Sequence, residues 1–414
     1  MKNMTLNLLL ILMFFVLFNC SEREHLNPLD PDNPETGGAP QNIQIYSYKN
    51  KAVISWRAVD VNTLEKYYIY RSKQDSTELA VYDSVGSNQT NYEDLLTEYD
   101  QEYYYAIQAV TETDMSRKSR VVSTVAGKYN FLIADFQDQQ ILEISYDGKH
   151  VVNYLSGISV TGLSKLKGKI YATNLWDRKL QVITESELAT VVQINAEPVE
   201  VTANRDRNLL YVLNRDTDNL ISYTEQGDVI EKVDLQFDIT FNSKAAYDSI
   251  NKYIWVTNRD SNTIHYYNFV DDSSKSVSAT INSPNEIEID KQGGCWIASG
   301  EGVIRIDNNG KITKYLNNYY IYDISMNFLT GDIYYSGFLD GNYYIGYLNT
   351  EGENNIVFEN EYKYIAKIKC VPDTPRAGLL MVDGSSGDIL RVNATGKKIG
   401  NSIFVYSVED IILK

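Results

Sequence analysis

Eight charged residues lie at matching positions in seven strand-like segments of this chain. The segments start 37 to 45 residues apart, and aligning their starts puts seven residues at one level: Gly162, Glu200, Lys244, Glu286, Asp323, Lys367 and Asp410. Two positions on, and therefore on the same face of a strand, come Ser164, Thr202, Ala246, Glu288, Ser325, Lys369 and Ile412. If the segments surround a common axis, five carboxylates and three lysines meet there.

This group of charges has two interpretations. The side chains can pair with one another in a water-filled channel, because structural ion-pair networks also gather charges. Alternatively, they bind a polar or cationic ligand, or a divalent cation held by carboxylate oxygens. The residue types leave both interpretations open and require no cofactor.

A second set of candidates lies in polar turns between strand-like segments. The set consists of Trp176, Arg178, Arg215 and Arg259, next to Asp177, Asp216 and Asp260. Turn chemistry explains the asparagines of these segments, which accept left-handed backbone conformations. No turn requires Arg215 or Arg259, so both are stronger candidates for ligand contact. Trp176 is suited to stacking on a sugar or peptide ring, or to packing between sheets.

The segments that carry these residues repeat along the chain. Residues 170–180, 210–220 and 254–264 each read as a strand, a turn rich in Asn, Asp and Arg, and a second strand. A period of about 40 residues is typical of a four-stranded propeller blade. The copy starting at Phe131 lacks a first strand, and the copy at residues 409–414 ends after one. We therefore predict a β-propeller over 127–414, closed by its C-terminal strand, with seven blades and six as the alternative.

The repeats resemble the NHL and YVTN families of propellers. The resemblance rests on Leu210-Tyr-Val and Tyr253-Ile-Trp-Val, the Asn-Arg-Asp turns, the openings at Pro198 and Pro284, and hairpins such as Asn309-Gly310. It implies a fold and a ligand site at one end of a central channel. It implies no particular reaction, because this scaffold serves many functions.

The sequence favours a binding or scaffolding module over an enzyme without deciding the question. Glu286 and Glu288 partly match the metal site of propeller lactonases, but the Asn partners expected at the same depth are missing. Lyases of this fold use histidines near the channel, whereas His25, His150 and His265 fall elsewhere. No nucleophile elbow and no base–nucleophile pair is present. A metal-dependent hydrolase or lyase acting at the channel stays the alternative.

Residues 41–126 form a separate predicted domain of about seven short strands, typical of a β-sandwich. They resemble a fibronectin type III domain through Val53-Ile-Ser-Trp56, Tyr67-Tyr-Ile-Tyr-Arg71 and the strand Tyr103–Val110. The resemblance implies that Trp56 and Tyr103 are core residues, with Tyr103 at the tyrosine corner.

Residues 1–20 have the pattern of an export signal. Lys2 precedes an apolar run from Leu6 to Phe18, which is too short for a comfortable membrane span. The run ends at Leu17-Phe18-Asn19-Cys20, which resembles a bacterial lipobox and implies acylation of Cys20. Residues 21–40 hold four of the eight prolines and are predicted to be a flexible tether.

The composition narrows the class of partner. The chain has 414 residues, 33 of them tyrosine, and a formal net charge of −17. No basic stripe is present, so a nucleic acid is not an expected partner. Cys295 and Cys370 read as small buried hydrophobes. We expect an all-β protein, lipid-anchored in the bacterial cell envelope with the outer membrane favoured, that binds a protein, peptide or glycan.

Overall fold

The computed structural model describes residues 25–73, 75–184, 187–277, 280–371, 378–393, 396–399 and 403–414. The predicted signal peptide and Cys20 lie outside the described residues. The described residues divide into two compact units: 46–52, 95–101 and 124–414 form the larger, and the remainder forms the smaller. No helix in the described ranges is long and apolar enough to cross a membrane.

Seven strands precede residue 126 and form two antiparallel sheets. A three-stranded sheet has the order β1-β2-β5 and a four-stranded sheet the order β4-β3-β6-β7. Their bounds are β1 (Gln44–Tyr48), β2 (Lys51–Ser55), β3 (Leu64–Ser72), β4 (Ala80–Gly86), β5 (Asn91–Asp94), β6 (Glu102–Thr111) and β7 (Val122–Val125). Trp56 and Tyr103 are buried, and the Trp56 ring packs edge-on against Tyr67. Both predicted core aromatics are thus core residues.

The described part of residues 131–413 forms seven four-stranded antiparallel sheets, here called blades 1 to 7. Their strands are: blade 1, β8 (Phe131–Asp135), β9 (Gln140–Ile144), β10 (Val151–Ser156) and the final β35 (Val408–Leu413); blade 2, β11 (Val160–Leu166), β12 (Lys169–Asn174), β13 (Lys179–Ile183) and β14 (Leu188–Gln193); blade 3, β15 (Pro198–Asn204), β16 (Leu209–Asn214), β17 (Asn219–Tyr223) and β18 (Val229–Asp234); blade 4, β19 (Ser243–Asp248), β20 (Tyr253–Asn258), β21 (Thr263–Asn268) and β22 (Ser273–Ser276); blade 5, β23 (Glu286–Ile289), β24 (Cys295–Ser299), β25 (Gly302–Ile306) and β26 (Ile312–Tyr315); blade 6, β27 (Tyr320–Met326), β28 (Ile333–Leu339), β29 (Asn342–Leu348) and β30 (Asn354–Glu359); blade 7, β31 (Ile365–Cys370), β32 (Leu379–Asp383), β33 (Asp388–Val392) and β34 (Ile403–Phe404).

Consecutive blades pack through their innermost strands, which form a closed ring. Each innermost strand contacts that of the next blade, and β35 lies between β31 and β11. The strand β35 also pairs with β8, so the last strand of the chain completes blade 1. Closure in this manner pairs the inner edge of β8 and leaves the blades only their short outer edges.

Packing between blades explains the apolar strands. The second strand of blade 3, β16, is buried at all six of its positions because neighbouring blades cover both of its faces. Between blades 2 and 3, for example, Tyr171 and Leu180 belong to one cluster with Val201 and Leu210. The outer strand β18 is instead exposed at four of its six positions. The protein is therefore an all-β chain built on a β-propeller, and its innermost strands surround the predicted charges.

Candidate functional site

The charges of the innermost strands form a network that is largely buried. Lys367 Nζ lies 2.7 Å from a carboxylate oxygen of Glu286 and 3.6 Å from one of Asp323. The other contacts pair Lys244 with Glu200 at 3.3 Å and Lys369 with Glu288 at 3.8 Å. Each lysine reaches a carboxylate of a different blade, so the pairs join blades to one another.

Backbone groups complete the network. The carboxylate of Asp323 accepts the N–H of Ile368 at 2.7 Å, and that of Asp410 accepts the N–H of Leu163 at 2.8 Å. Gly162 is required for close packing here, because a Cβ at this position would lie only 2.2 Å from an oxygen of Glu200. The residue types of the ring thus serve contacts between blades.

Burial dominates the protonation of two carboxyls in the network. It raises the pKa of Glu200 to about 8, although the nearby Lys244 acts in the opposite direction. It also raises the pKa of Asp323 to about 7 against the influence of Lys367. Burial would raise the pKa of Glu286 as well, but Lys367 and Lys244 outweigh it and leave that pKa below its usual range.

The space between these charges is small. A cavity of about 40 Å³, lined by Glu286, Glu288, Asp323, Lys367, Lys369 and Asp410, has room for about one water molecule. Within the described part of the channel, the carboxylates do not form a group of three with ligand atoms close enough for one metal ion. Separate lysines hold Glu286 and Glu288, so these residues do not fit the divalent cation considered from the sequence.

A much larger pocket opens where the innermost strands begin, and we call it the mouth pocket. Its volume is about 550 Å³, in the range of small-molecule sites. The lining residues are Phe241, Asn242, Lys244, Arg259, Asn285, Tyr320, Tyr322, Phe338, Tyr364, Ala366, Lys367, Val408 and Glu409. Lys367 lines both this pocket and the small cavity beneath it. The mouth pocket therefore presents lysine side chains whose carboxylate partners lie deeper.

Tyrosines at the starts of two innermost strands form one wall of the mouth pocket. The ring centroids of Tyr320 and Tyr322 are 5.1 Å apart, and Tyr364 packs edge-on against Tyr322 at 4.6 Å. Burial raises the pKa of Tyr322 to about 12, so its hydroxyl stays protonated at neutral pH and can donate as well as accept a hydrogen bond. Such side chains offer flat apolar faces with polar tips.

Arg259 lies in the turn after β20 and reaches the same wall. Its guanidinium donates a hydrogen bond of 3.3 Å to the Tyr320 hydroxyl. It makes no ion pair with a described carboxylate, although the neighbouring Asp260 is close in sequence. That aspartate instead accepts the side-chain amide of Asn242 at 3.0 Å.

The other candidates from the polar turns have different surroundings. Arg215 contacts Glu197 at 2.5 Å, and Arg178 contacts the same carboxylate at 3.2 Å. Their charges lower the pKa of Glu197, with the hydrogen bond from Arg215 as the largest cause. Both arginines thus have a carboxylate partner, and neither lines the mouth pocket.

Trp176 is 58% exposed, so it does not pack in a core. Its ring lies beside Phe136 at 6.1 Å, and Phe136 in turn meets Phe241 edge-on at 5.3 Å. Because Phe241 lines the mouth pocket, these three rings form an aromatic rim that leads from the pocket to an exposed tryptophan. We call them the rim aromatics.

Of the sequence candidates, Lys244, Arg259 and Lys367 lie in the mouth pocket. Glu286, Glu288, Asp323, Lys367 and Asp410 border the small cavity, and Glu200 pairs with Lys244 beside it. Sequence reasoning missed the aromatic wall. Tyr320 and Tyr364 stand three positions before the aligned Asp323 and Lys367, as Glu197 stands three before Glu200, so a comparison of that position would have indicated them.

Comparison with known proteins supports the fold and nothing finer. No family model and no curated protein matches the chain. Among solved structures, a protein of unknown function from Desulfotomaculum acetoxidans has a TM-score of 0.51 at 14% identity, covering 69% of this chain and 98% of that chain. A Bacteroides uniformis protein provisionally assigned as a 6-phosphogluconolactonase has a TM-score of 0.51 at 15% identity, covering 69% and 99%. A streptogramin B lyase has a TM-score of 0.49 at 13% identity, covering 67% and 88%.

Proposed function

We propose that this chain is an exported bacterial lipoprotein, anchored through Cys20, whose propeller binds a protein, peptide or glycan partner at the mouth pocket. The same proposal places it in the cell envelope, on the outer membrane. In this proposal the propeller is related to the NHL and YVTN propellers. Residues 41–126 form a fibronectin type III domain that acts as a spacer.

The observation that carries the proposal is the mouth pocket itself. It combines about 550 Å³ of space with tyrosine faces and with polar groups from several blades. Concave pockets of about this volume, with polar groups converging from different elements, are the usual form of a ligand site. The deeper charges pair with one another, which supports a structural role for them and leaves the pocket as the binding surface.

The sheet order of the N-terminal strands supports the fibronectin assignment. Sheets β1-β2-β5 and β4-β3-β6-β7 combine three and four strands, as in the seven-stranded immunoglobulin-like sandwich. Within that unit Arg71 lies 2.7 Å from Asp94, and Asp94 accepts the Tyr105 hydroxyl at 2.7 Å. These polar groups are used inside the fold, which supports a spacer more than a second binding site.

One experiment tests the anchor. Replacing Cys20 by serine removes the thiol that would accept the acyl chain, so we expect an unprocessed or released protein in cell fractions. The matched control is Cys295→Ser, which changes a buried strand cysteine and should leave the protein in the membrane fraction. A processed Cys20→Ser protein that remains in the membrane would contradict the lipid anchor.

A second candidate function, a hydrolase or lyase acting at the channel, is favoured by one observation. Glu200 and Asp323 have pKa values raised to about 8 and about 7, as general acids often do. Against it, the Glu200 carboxyl contacts Lys244 and accepts the N–H of Val201, and the adjoining cavity has room for only about one water. Binding therefore has the stronger support.

The binding proposal is tested with the purified full chain by calorimetric titration of neutral saccharides, acidic saccharides and short peptides. We expect at least one of the three classes to bind, and Tyr322→Ala to weaken that binding about tenfold because it removes one wall of the pocket. The control is Tyr154→Ala, which removes an exposed tyrosine on the outer strand of blade 1. Binding that Tyr322→Ala leaves unchanged, or no binding by any class, would refute a ligand site at the mouth pocket.

A further inference from the structure

The mouth pocket has an excess of cationic side chains. Lys244, Arg259 and Lys367 line it, and Glu409 is the one carboxylate among its lining residues. The lysines touch carboxylates beneath the pocket, while Arg259 makes no ion pair with a described residue. A guanidinium exposed to solvent beside tyrosine rings can form a two-point contact with a carboxylate. The pocket is thus suited to a ligand that carries an anionic group.

The number of anionic groups on the ligand is limited by the charge of the whole protein. The formal net charge is −17, so a polyanion would be repelled as it approached. Glu409 also lines the pocket and would oppose a second negative group inside it. One carboxylate in the recognised part of the ligand fits these charges better than several.

The chemistry of the remaining walls favours a sugar over a peptide. Peptides commonly add a strand to an open sheet edge. Here the cavity beneath the pocket, between the innermost strands of blades 5, 6, 7 and 1, has a volume of only about 40 Å³, which leaves no room for a peptide strand beside those four strands. The pocket instead offers tyrosine faces, tyrosine hydroxyls and the amides of Asn242 and Asn285. These groups suit a ring that has apolar faces and many hydroxyls.

The rim aromatics extend this surface beyond the pocket. Phe241 lines the pocket, Phe136 lies next to it, and Trp176 ends the series with most of its ring exposed. A single sugar fits within the pocket and has no need of this rim. A ligand of several linked sugars would cover it and would shield the exposed tryptophan from water.

We infer that the ligand is an acidic oligosaccharide, with the carboxylate of one sugar held by Arg259 and its neighbouring sugars stacked along Phe241, Phe136 and Trp176. This inference rests on the proposed function and names its ligand class. The acidic sugar occupies the mouth pocket, and the rest of the chain follows the rim.

The test uses the full chain and trisaccharides in which one sugar is glucuronate, galacturonate or mannuronate and the other two are neutral, each beside its carboxyl-reduced neutral form. We expect at least one acid to bind about 10- to 100-fold more tightly than its neutral form, as a charged hydrogen bond would produce. Arg259→Gln should remove that preference, whereas the control Arg215→Gln should keep it. Trp176→Ala should weaken binding of the trisaccharide and leave the affinity for the corresponding monosaccharide unchanged.

The outcomes separate this inference from the proposed function. Equal affinity for acidic and neutral forms, with binding still lost in Tyr322→Ala, would overturn the acidic ligand and retain a glycan site at the mouth. Tighter binding of triglutamate than of every acidic trisaccharide would overturn the glycan in favour of an acidic peptide. Absence of binding by all acidic trisaccharides would overturn the inference outright.

Discussion

The turns at residues 214–216 and 258–260 have the same sequence, Asn-Arg-Asp, and follow equivalent strands of adjacent blades. In the first, Arg215 is held by Glu197; in the second, Arg259 has no described carboxylate partner and lines the mouth pocket. Pro198 pairs with Asn214 as Ser243 pairs with Asn258, so Glu197 and Asn242 occupy equivalent positions. One difference, Glu in blade 3 and Asn in blade 4, separates a paired arginine from an available one.

The role of a charged residue in this protein depends more on the partner of its charge than on its residue type. Arg178, Lys244, Lys367 and Lys369 follow the same rule, since each contacts a carboxylate of another element. These paired charges join blades to one another, and of the three turn arginines the one without an ion pair to a described residue, Arg259, is the one in a large pocket. The predictions below test this distinction, beginning with the most buried pair.

The largest effect is expected for Asp323→Ala. Asp323 is 3% exposed, accepts the N–H of Ile368 and lies near Lys367. Removing one partner of a buried pair costs about 3–5 kcal/mol, so the free energy of unfolding should fall by that amount in chemical denaturation. Asp323→Asn keeps an acceptor for the backbone N–H and should cost less. A loss below about 1 kcal/mol for the alanine variant would contradict a structural role.

The next effect is a pH dependence of the protein's stability that arises from Glu200. Burial raises the pKa of Glu200 in the folded protein to about 8 from an ordinary 4.5. Between these values the folded state holds a proton that the unfolded state has lost. The resulting stabilisation is complete below pH 4.5 and is lost as the pH rises through 8. Over that range the free energy of unfolding should fall by no more than about 1.4 kcal/mol per pH unit.

Denaturation of the wild type and of Glu200→Gln from pH 5 to 8.5 measures this effect. Glutamine cannot ionise, so the variant should lose less stability over that range than the wild type. Glu225→Gln is a suitable control, because its carboxylate pairs with surface lysines and has a lowered pKa. Parallel pH profiles for the wild type and Glu200→Gln would show that this carboxyl does not take up a proton on folding.

The sequence was sufficient to predict the all-β propeller and insufficient to predict how its charges behave. Alternating strands and Asn-Arg-Asp turns recur at a constant period, so the fold follows from local patterns. The charges were expected to be either solvated pairs or a ligand site, for which neutralising Glu286 and Asp323 together would cost little stability, because exposed pairs contribute only about 0–1 kcal/mol. These charges are buried because the seven innermost strands lie close together around the channel. That distance cannot be predicted from a local sequence pattern.

The aromatic wall was missed for a different reason. The chain contains 33 tyrosines, and strands favour aromatic residues, so a tyrosine at the start of a strand does not by itself indicate a binding site. Tyr320 and Tyr364 become a site only because β27 and β31 bring them to the same end of the channel as Arg259. Their meeting depends on ring closure, which is a property of the whole propeller.

A smaller effect is expected from transferring the paired arrangement to blade 4. Asn242→Glu places a carboxylate where Glu197 stands in blade 3, so Arg259 should acquire a partner. Binding of the acidic trisaccharide should then weaken about tenfold, because the arginine is neutralised and a negative charge is added near the ligand. Asn242→Gln keeps the position neutral and is the matched control. If both variants bind alike, the charge of Arg259 is not what the ligand recognises.

The smallest effect concerns the arrangement in blade 3. Glu197→Gln leaves Arg178 and Arg215 without the carboxylate they share. These side chains are partly exposed, and exposed ion pairs contribute about 0.2–1 kcal/mol, so the free energy of unfolding should fall within that range and less at high salt. Binding at the mouth pocket should not change, because none of the three residues lines it. A salt-independent loss above about 2 kcal/mol would mean that this surface cluster is a buried structural element, and a loss of binding would place the ligand over blade 3 instead of blade 4.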